Sequence, residues 1–74
     1  MNEKEFNYMK EGVASDIITF LMEDYNKDIP QAMDILYNSE TYAKLCMPST
    51  RLYFQSSRYV YSYLQDELLQ GRLS

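Results

Sequence analysis

Apolar residues recur at helical spacing through the first third of the chain. With residues placed 100° apart, Phe6, Met9, Val13, Ile17, Phe20 and Leu21 fall within about 120° of arc, the mark of one buried stripe. Ile18 and Tyr25 widen the stripe, and Lys4, Glu11 and Glu23 lie off it. The pattern predicts a helix over about residues 3–25, opened by a capping box in which Asn2 takes the N3 amide and Glu5 reaches back. Asn26-Lys27-Asp28 then reads as a polar turn.

Asp28-Ile29-Pro30-Gln31 repeats the start signal, with an acceptor at the cap, Gln at N3 and proline in the first turn. Ile29, Ala32, Met33, Leu36 and Tyr37 form the stripe of a second helix, about 29–38. Asn38-Ser39 interrupts it. Ser39 can cap a third helix, about 40–47, that turns Tyr42, Leu45 and Cys46 inward; alternatively the two are one bent helix, and the break is the favoured reading. Pro48 ends this segment, and Met47 before it is pushed away from helical angles. Leu52-Tyr53-Phe54-Gln55 is too short to call a helix and reads as extended. Ser56 or Ser57 caps a last helix, about 57–70, with Gly71 as its stop.

This last helix is apolar over an unusually wide arc. Relative to Val60, the residues Tyr59, Tyr63, Leu64, Leu68 and Tyr61 span about −100° to +100°, and Leu69 points elsewhere. Either the helix lies centrally among the others, or its tyrosine-rich flank meets a second chain. The expected fold is a single all-α domain over residues 1–74, a compact bundle of three to four helices.

Size makes a partner attractive. A chain of 74 residues buries only roughly 60% of the surface it exposes when unfolded. Its single cysteine cannot form an internal disulfide, and it has no histidine for a zinc site. Docking on another protein, or self-association into a homo-oligomer, is therefore expected.

Charge narrows the partner class. Residues 1–37 hold 8 acids and 3 bases, and residues 38–74 hold 3 acids and 4 bases, so the halves carry −5 and +1. Nucleic acid is disfavoured because no basic stripe is available to displace phosphate counterions, and an anionic membrane surface is disfavoured likewise. The uncharged, mainly apolar run from Ile17 to Met22 is far below the ~20 residues needed to cross a bilayer. The first residues lack the basic start and apolar core of a signal peptide, and free Cys46 suits a reducing compartment, so a cytoplasmic location is expected.

Little chemistry is visible. Without histidine there is no imidazole base, nucleophile partner or metal ligand, so no catalytic residue, metal or cofactor is expected. Cys46 reads as a core thiol. Neighbouring carboxylates, Glu23-Asp24 and Asp66-Glu67, point about 100° apart on a helix and do not converge. Glu67 falls inside the apolar arc; the favoured reading lets its carboxylate reach water past the core edge, and the sharper one pairs it with Arg51, Arg58 or a partner's cation. Asp24, Asn26 and Asp28 resemble the opening of a calcium loop but lack its glycine and distal glutamate, and Asp28 is better used as a cap.

The compositional oddity is eight tyrosines. So small a domain has few interior sites, and tyrosine is enriched at interface hot spots because it covers area at low entropic cost. Tyr53, Tyr59, Tyr61 and Tyr63, with Leu69 at the rim, are the candidate partner-binding residues. On this reading Tyr61→Ala weakens association and leaves helicity intact.

Ala32-Met33-Asp34-Ile35-Leu36-Tyr37-Asn38-Ser39 with Tyr42 and Leu45, then Leu52-Tyr53, Gln55-Ser56, Tyr59-Val60, Leu64 and Glu67-Leu68, resemble a small bacterial family of all-helical proteins. The resemblance covers residues 32–68. It implies an accessory or antitoxin-like role beside ADP-ribosyltransferase-like toxins and supplies no catalytic residue. This chain departs from the family at Arg51, where glycine is expected in the turn. The function expected is a non-enzymatic protein-interaction module, an antitoxin-like or accessory regulator of an operon partner. The alternative is a DNA-binding regulator using the second and third helices as a helix-turn-helix.

Overall fold

A computed structural model describes residues 3–70. The first helix, α1, runs Glu3–Tyr25; the proposed cap Asn2 lies outside the described residues. Asn26 adopts a left-handed φ of 54°, which stops α1, and asparagine tolerates that conformation better than most residues. Three residues later α2, Ile29–Tyr37, begins with the expected capping box: the Gln31 amide donates to Asp28 Oδ1 at 2.9 Å, and the Asp28 amide donates to Gln31 Oε1 at 3.1 Å. Asp28 is thus spent as a cap, and among the described residues no acidic or thiol group gathers to hold a metal.

The chain breaks at Asn38-Ser39 rather than bending. Asn38 closes α2 through its own amide, and its side-chain nitrogen donates back to the Asp34 carbonyl at 2.8 Å. Ser39 Oγ accepts from the Tyr42 amide at 3.0 Å and opens α3, Glu40–Leu45. Two 3-10 turns follow, Pro48–Thr50 and Leu52–Phe54, so the segment expected to be extended is helical in the tighter sense. Ser56, not Ser57, caps α4, Ser57–Leu69, by accepting from the Tyr59 amide at 3.2 Å. Gly71, the expected stop, lies outside the described residues.

Arg51 joins the two 3-10 turns with a left-handed φ of 57°. An L residue with a Cβ pays for that conformation and glycine does not. The position is exposed, so Arg51→Gly is expected to stabilise the fold by about 0.5–1 kcal/mol, net of the greater freedom of glycine in the unfolded chain. Thermal unfolding reads this as a midpoint about 3–6 °C higher; an unchanged or lower midpoint contradicts it.

One core joins all elements. Val13, Ala14, Ile17 and Leu21 of α1 meet Ala32 and Leu36 of α2, Leu45 of α3, Leu52 and Tyr53 of the second 3-10 turn, and Val60, Tyr61 and Leu64 of α4. The stripe of α1 is buried as expected in its second half, with Phe6, Met9 and Phe20 half-covered. The stripe of α2 is not: Ile29 and Tyr37 stay exposed, and Ile35 packs instead. Leu45 is inside, whereas Tyr42 and Cys46 are only half-buried. The Cα radius of gyration is 11.8 Å, close to the ~11 Å expected of a folded chain this long. The core residues are at most 9% exposed within one copy. Among the described residues no helix is long and apolar enough to cross a membrane.

Candidate functional site

The wide apolar arc of α4 is divided between two fates. Its centre and one flank, Val60, Tyr61 and Leu64, are at most 1% exposed, while Tyr59 and Tyr63 on the other flank are 47% and 46% exposed. The five residues marked for partner binding therefore separate. Tyr53 and Tyr61 belong to the core and offer no surface. Tyr53 stacks edge-on against Phe6 at 4.9 Å. Tyr61 lies against Phe20 at 5.1 Å, and its hydroxyl donates to Asp24 Oδ2 at 2.7 Å. Burial first, then that carboxylate, push the Tyr61 phenol far above its ordinary pKa. Interior tyrosines are admissible when the hydroxyl finds an acceptor, and α1 provides one here.

Tyr59, Tyr63 and Leu69 remain on the surface. Tyr59 and Tyr63 are one helical turn apart and form a single unit: ring centroids 5.2 Å apart, planes at 85°, hydroxyls 2.9 Å apart. That hydroxyl contact raises the Tyr63 pKa. Leu69 is 83% exposed, but six residues from Tyr63 it sits roughly 120° around the helix, so it does not join the pair.

Tyr63 also borders an open groove of about 460 Å³. One wall is α4, with Tyr63, Asp66 and Gln70; the other is α3, with Glu40 and Lys44; Thr50 and Leu52 come from the 3-10 turns. Between the walls lie Thr41 and Glu67, both buried.

Glu67 departs from the favoured expectation, because its carboxylate is buried, and it pairs with neither Arg51 nor Arg58. Instead it accepts three hydrogen bonds from the start of α3. The Glu40 amide donates to Oε2 at 2.9 Å, and the Thr41 amide and hydroxyl donate to Oε1 at 2.9 and 2.7 Å. Burial alone would raise its pKa. The Thr41 hydroxyl, the two amides and the nearby Lys44 charge together outweigh burial and hold the carboxyl below its usual range. An acid inside an apolar arc was the visible signal; the acceptor-hungry helix start that answers it lies 26 and 27 residues away and has no signature beside Glu67.

A smaller hollow of about 270 Å³ lies on the far side of α1, between Glu11, Ala14 and Ile18 and the edge-on pair Tyr37–Tyr42. Burial, then a hydrogen bond with the Cys46 thiol, push Tyr42 up to about 12. Arg58 stacks over Phe20 at 3.9 Å and is engaged in the fold. No protein-family model matches this chain, and no curated protein and no solved structure matches it either.

Proposed function

We propose that this protein is a non-enzymatic interaction module whose binding surface is the α3–α4 groove with the Tyr59–Tyr63 pair as its rim. The carrying observation is that pair: two aromatic side chains locked to each other yet nearly half exposed, beside an open groove, on a chain whose core is already buried. Rings held in one arrangement lose little conformational freedom when covered, the property that makes tyrosine effective at interface centres. The partner is a protein segment presenting apolar groups to the tyrosines and a basic group to the groove, where, among the described lining residues, Glu40, Asp66 and Glu67 stand against one cation, Lys44. Within an operon such a module acts as an antitoxin-like or accessory regulator of a neighbouring gene's product.

DNA binding is the weaker reading. A recognition helix reads bases through its first residues. Here the start of α3 is bonded to Glu67 of α4, and its single cation is Lys44. A gel shift at low salt is expected to show no complex; a retained complex there would favour the DNA reading.

Affinity capture of the tagged chain from its host, alongside the double variant Tyr59→Ala/Tyr63→Ala, tests the interaction. A stoichiometric protein held by the parent chain and lost at least about tenfold by the variant is expected, since hot-spot truncations cost about 2 kcal/mol or more. Undiminished capture by a variant of unchanged helicity removes the groove from the interface. Recovery of only a second copy of the chain would assign the surface to self-association.

A further inference from the structure

A helix of six residues, as α3 is, cannot sustain itself, because nucleation costs more than so few internal bonds return. Its side chains contribute the buried Thr41 and Leu45 and the half-buried Tyr42, which meets Tyr37 of α2 edge-on. Its start is held from two directions. Ser39 caps it locally through the Tyr42 amide, and Glu67 caps it from α4 through the Glu40 and Thr41 amides and the Thr41 hydroxyl. The remaining elements have ties of their own that bypass α3. Asp28 and Gln31 cap the start of α2, whose Ala32 and Leu36 share the core with Val13, Ala14, Ile17 and Leu21 of α1. Ser57 Oγ donates to Asp16 Oδ2 at 2.6 Å, Tyr61 bonds to Asp24, and Arg58 stacks on Phe20, so α1 and α4 are joined three times.

We propose that α3 is a latched segment: the ionised Glu67 carboxylate holds it on α4, and neutralising that carboxylate releases residues 40–47 as a unit while α1, α2 and α4 stay packed. Ionisation matters because all three partners are donors. A carboxylate is acceptor-only, whereas a protonated acid or an amide turns a hydrogen toward a group that already carries one. Among the described residues, the charged and titratable groups around the latch are Glu40 and Lys44 on α3 and Tyr63 and Asp66 on α4; the 3-10 turns contribute the uncharged Thr50 and Leu52. Opening the latch removes one wall of the groove, so the device governs whether that surface exists, whatever occupies it.

Amide hydrogen exchange of the full chain, followed residue by residue by NMR, tests this with Glu67→Gln, which keeps shape and changes acceptor chemistry. The amides of α3 are expected to exchange about tenfold faster or more, and those of α1 and α4 within about twofold of the parent. Equal acceleration in all four helices, or none in α3, would overturn the proposal. Thr41→Val, which deletes one donor and leaves the carboxylate, is expected to accelerate α3 alone and by less. Acid titration of the parent protein adds a readout free of substitution. The Glu40 and Thr41 amide signals should move with the Glu67 carboxyl carbon, before any amide of α1 or α4 loses protection. A single transition shared by α1 and α3 would show that the segment does not separate.

Discussion

Tyr61→Ala is expected to destabilise the fold by about 3–5 kcal/mol, the range for removing a large aromatic side chain from a packed core. Folded domains hold only about 0.05–0.15 kcal/mol per residue, which for 74 residues is roughly 4–11 kcal/mol in total. The variant should lose most of its helical signal on moderate heating or in low urea. The mechanism is a cavity: Tyr61 is among the largest fully buried side chains, lies against Phe20, and sits where α4 crosses α1. Tyr61→Phe separates the ring from the hydroxyl. It retains the packing and removes only the bond to Asp24, whose exposed carboxylate turns to water, so the cost should be about 1 kcal/mol. Urea denaturation of both variants decides the matter. Equal and small costs would mean that the ring is not a core element, and that the surface role expected of Tyr61 must be restored.

Glu67→Leu is the second large effect, about 2–4 kcal/mol destabilising. Buried charges can often be replaced by apolar groups without loss when the partner is replaced too. That route is closed to ordinary side-chain replacement here, because two of the three donors are backbone amides, which only proline would delete, and the Thr41 group is buried. The cost follows from donors left without an acceptor. The same geometry sets a pH dependence. The carboxyl is held below the usual glutamate value of 4.5 in the folded chain, so ionised Glu67 contributes its full stabilisation above that value and loses it as pH falls through the depressed folded value. Parent stability should therefore decline on the acid side, and Glu67→Leu should flatten that part of the profile. A parallel decline in both proteins would place the acid sensitivity elsewhere. In a double-variant cycle, Thr41→Val and Glu67→Leu should cost less together than the sum of their separate effects.

These two residues also mark where pattern reading succeeds and fails. The helix starts, the Ser39 cap and the capping box at Asp28 are legible, and the last cap is narrowed to Ser56 or Ser57, because each depends on residues within four positions of one another. The all-α class follows from the same local periodicity. Arg51, at a turn where glycine is expected, does adopt a left-handed φ. The helical character of the short Leu52–Phe54 segment is not legible, because a 3-10 turn of three residues has no period to detect.

The identity of the exposed tyrosines was beyond the sequence. Periodicity ranks Tyr59, Tyr61 and Tyr63 as members of one apolar arc, and it carries no information on which flank of that arc another helix will cover. Packing α4 against α1 buries Tyr61 and leaves Tyr59 and Tyr63 as a rim. Glu67 was conspicuous as an acid on an apolar face, yet its partners begin a helix more than twenty-five residues earlier. Local propensity writes elements into a chain because helical bonds join near neighbours. Which faces of those elements meet, and whether a misplaced charge finds water or a helix start, is settled only when distant segments are brought together.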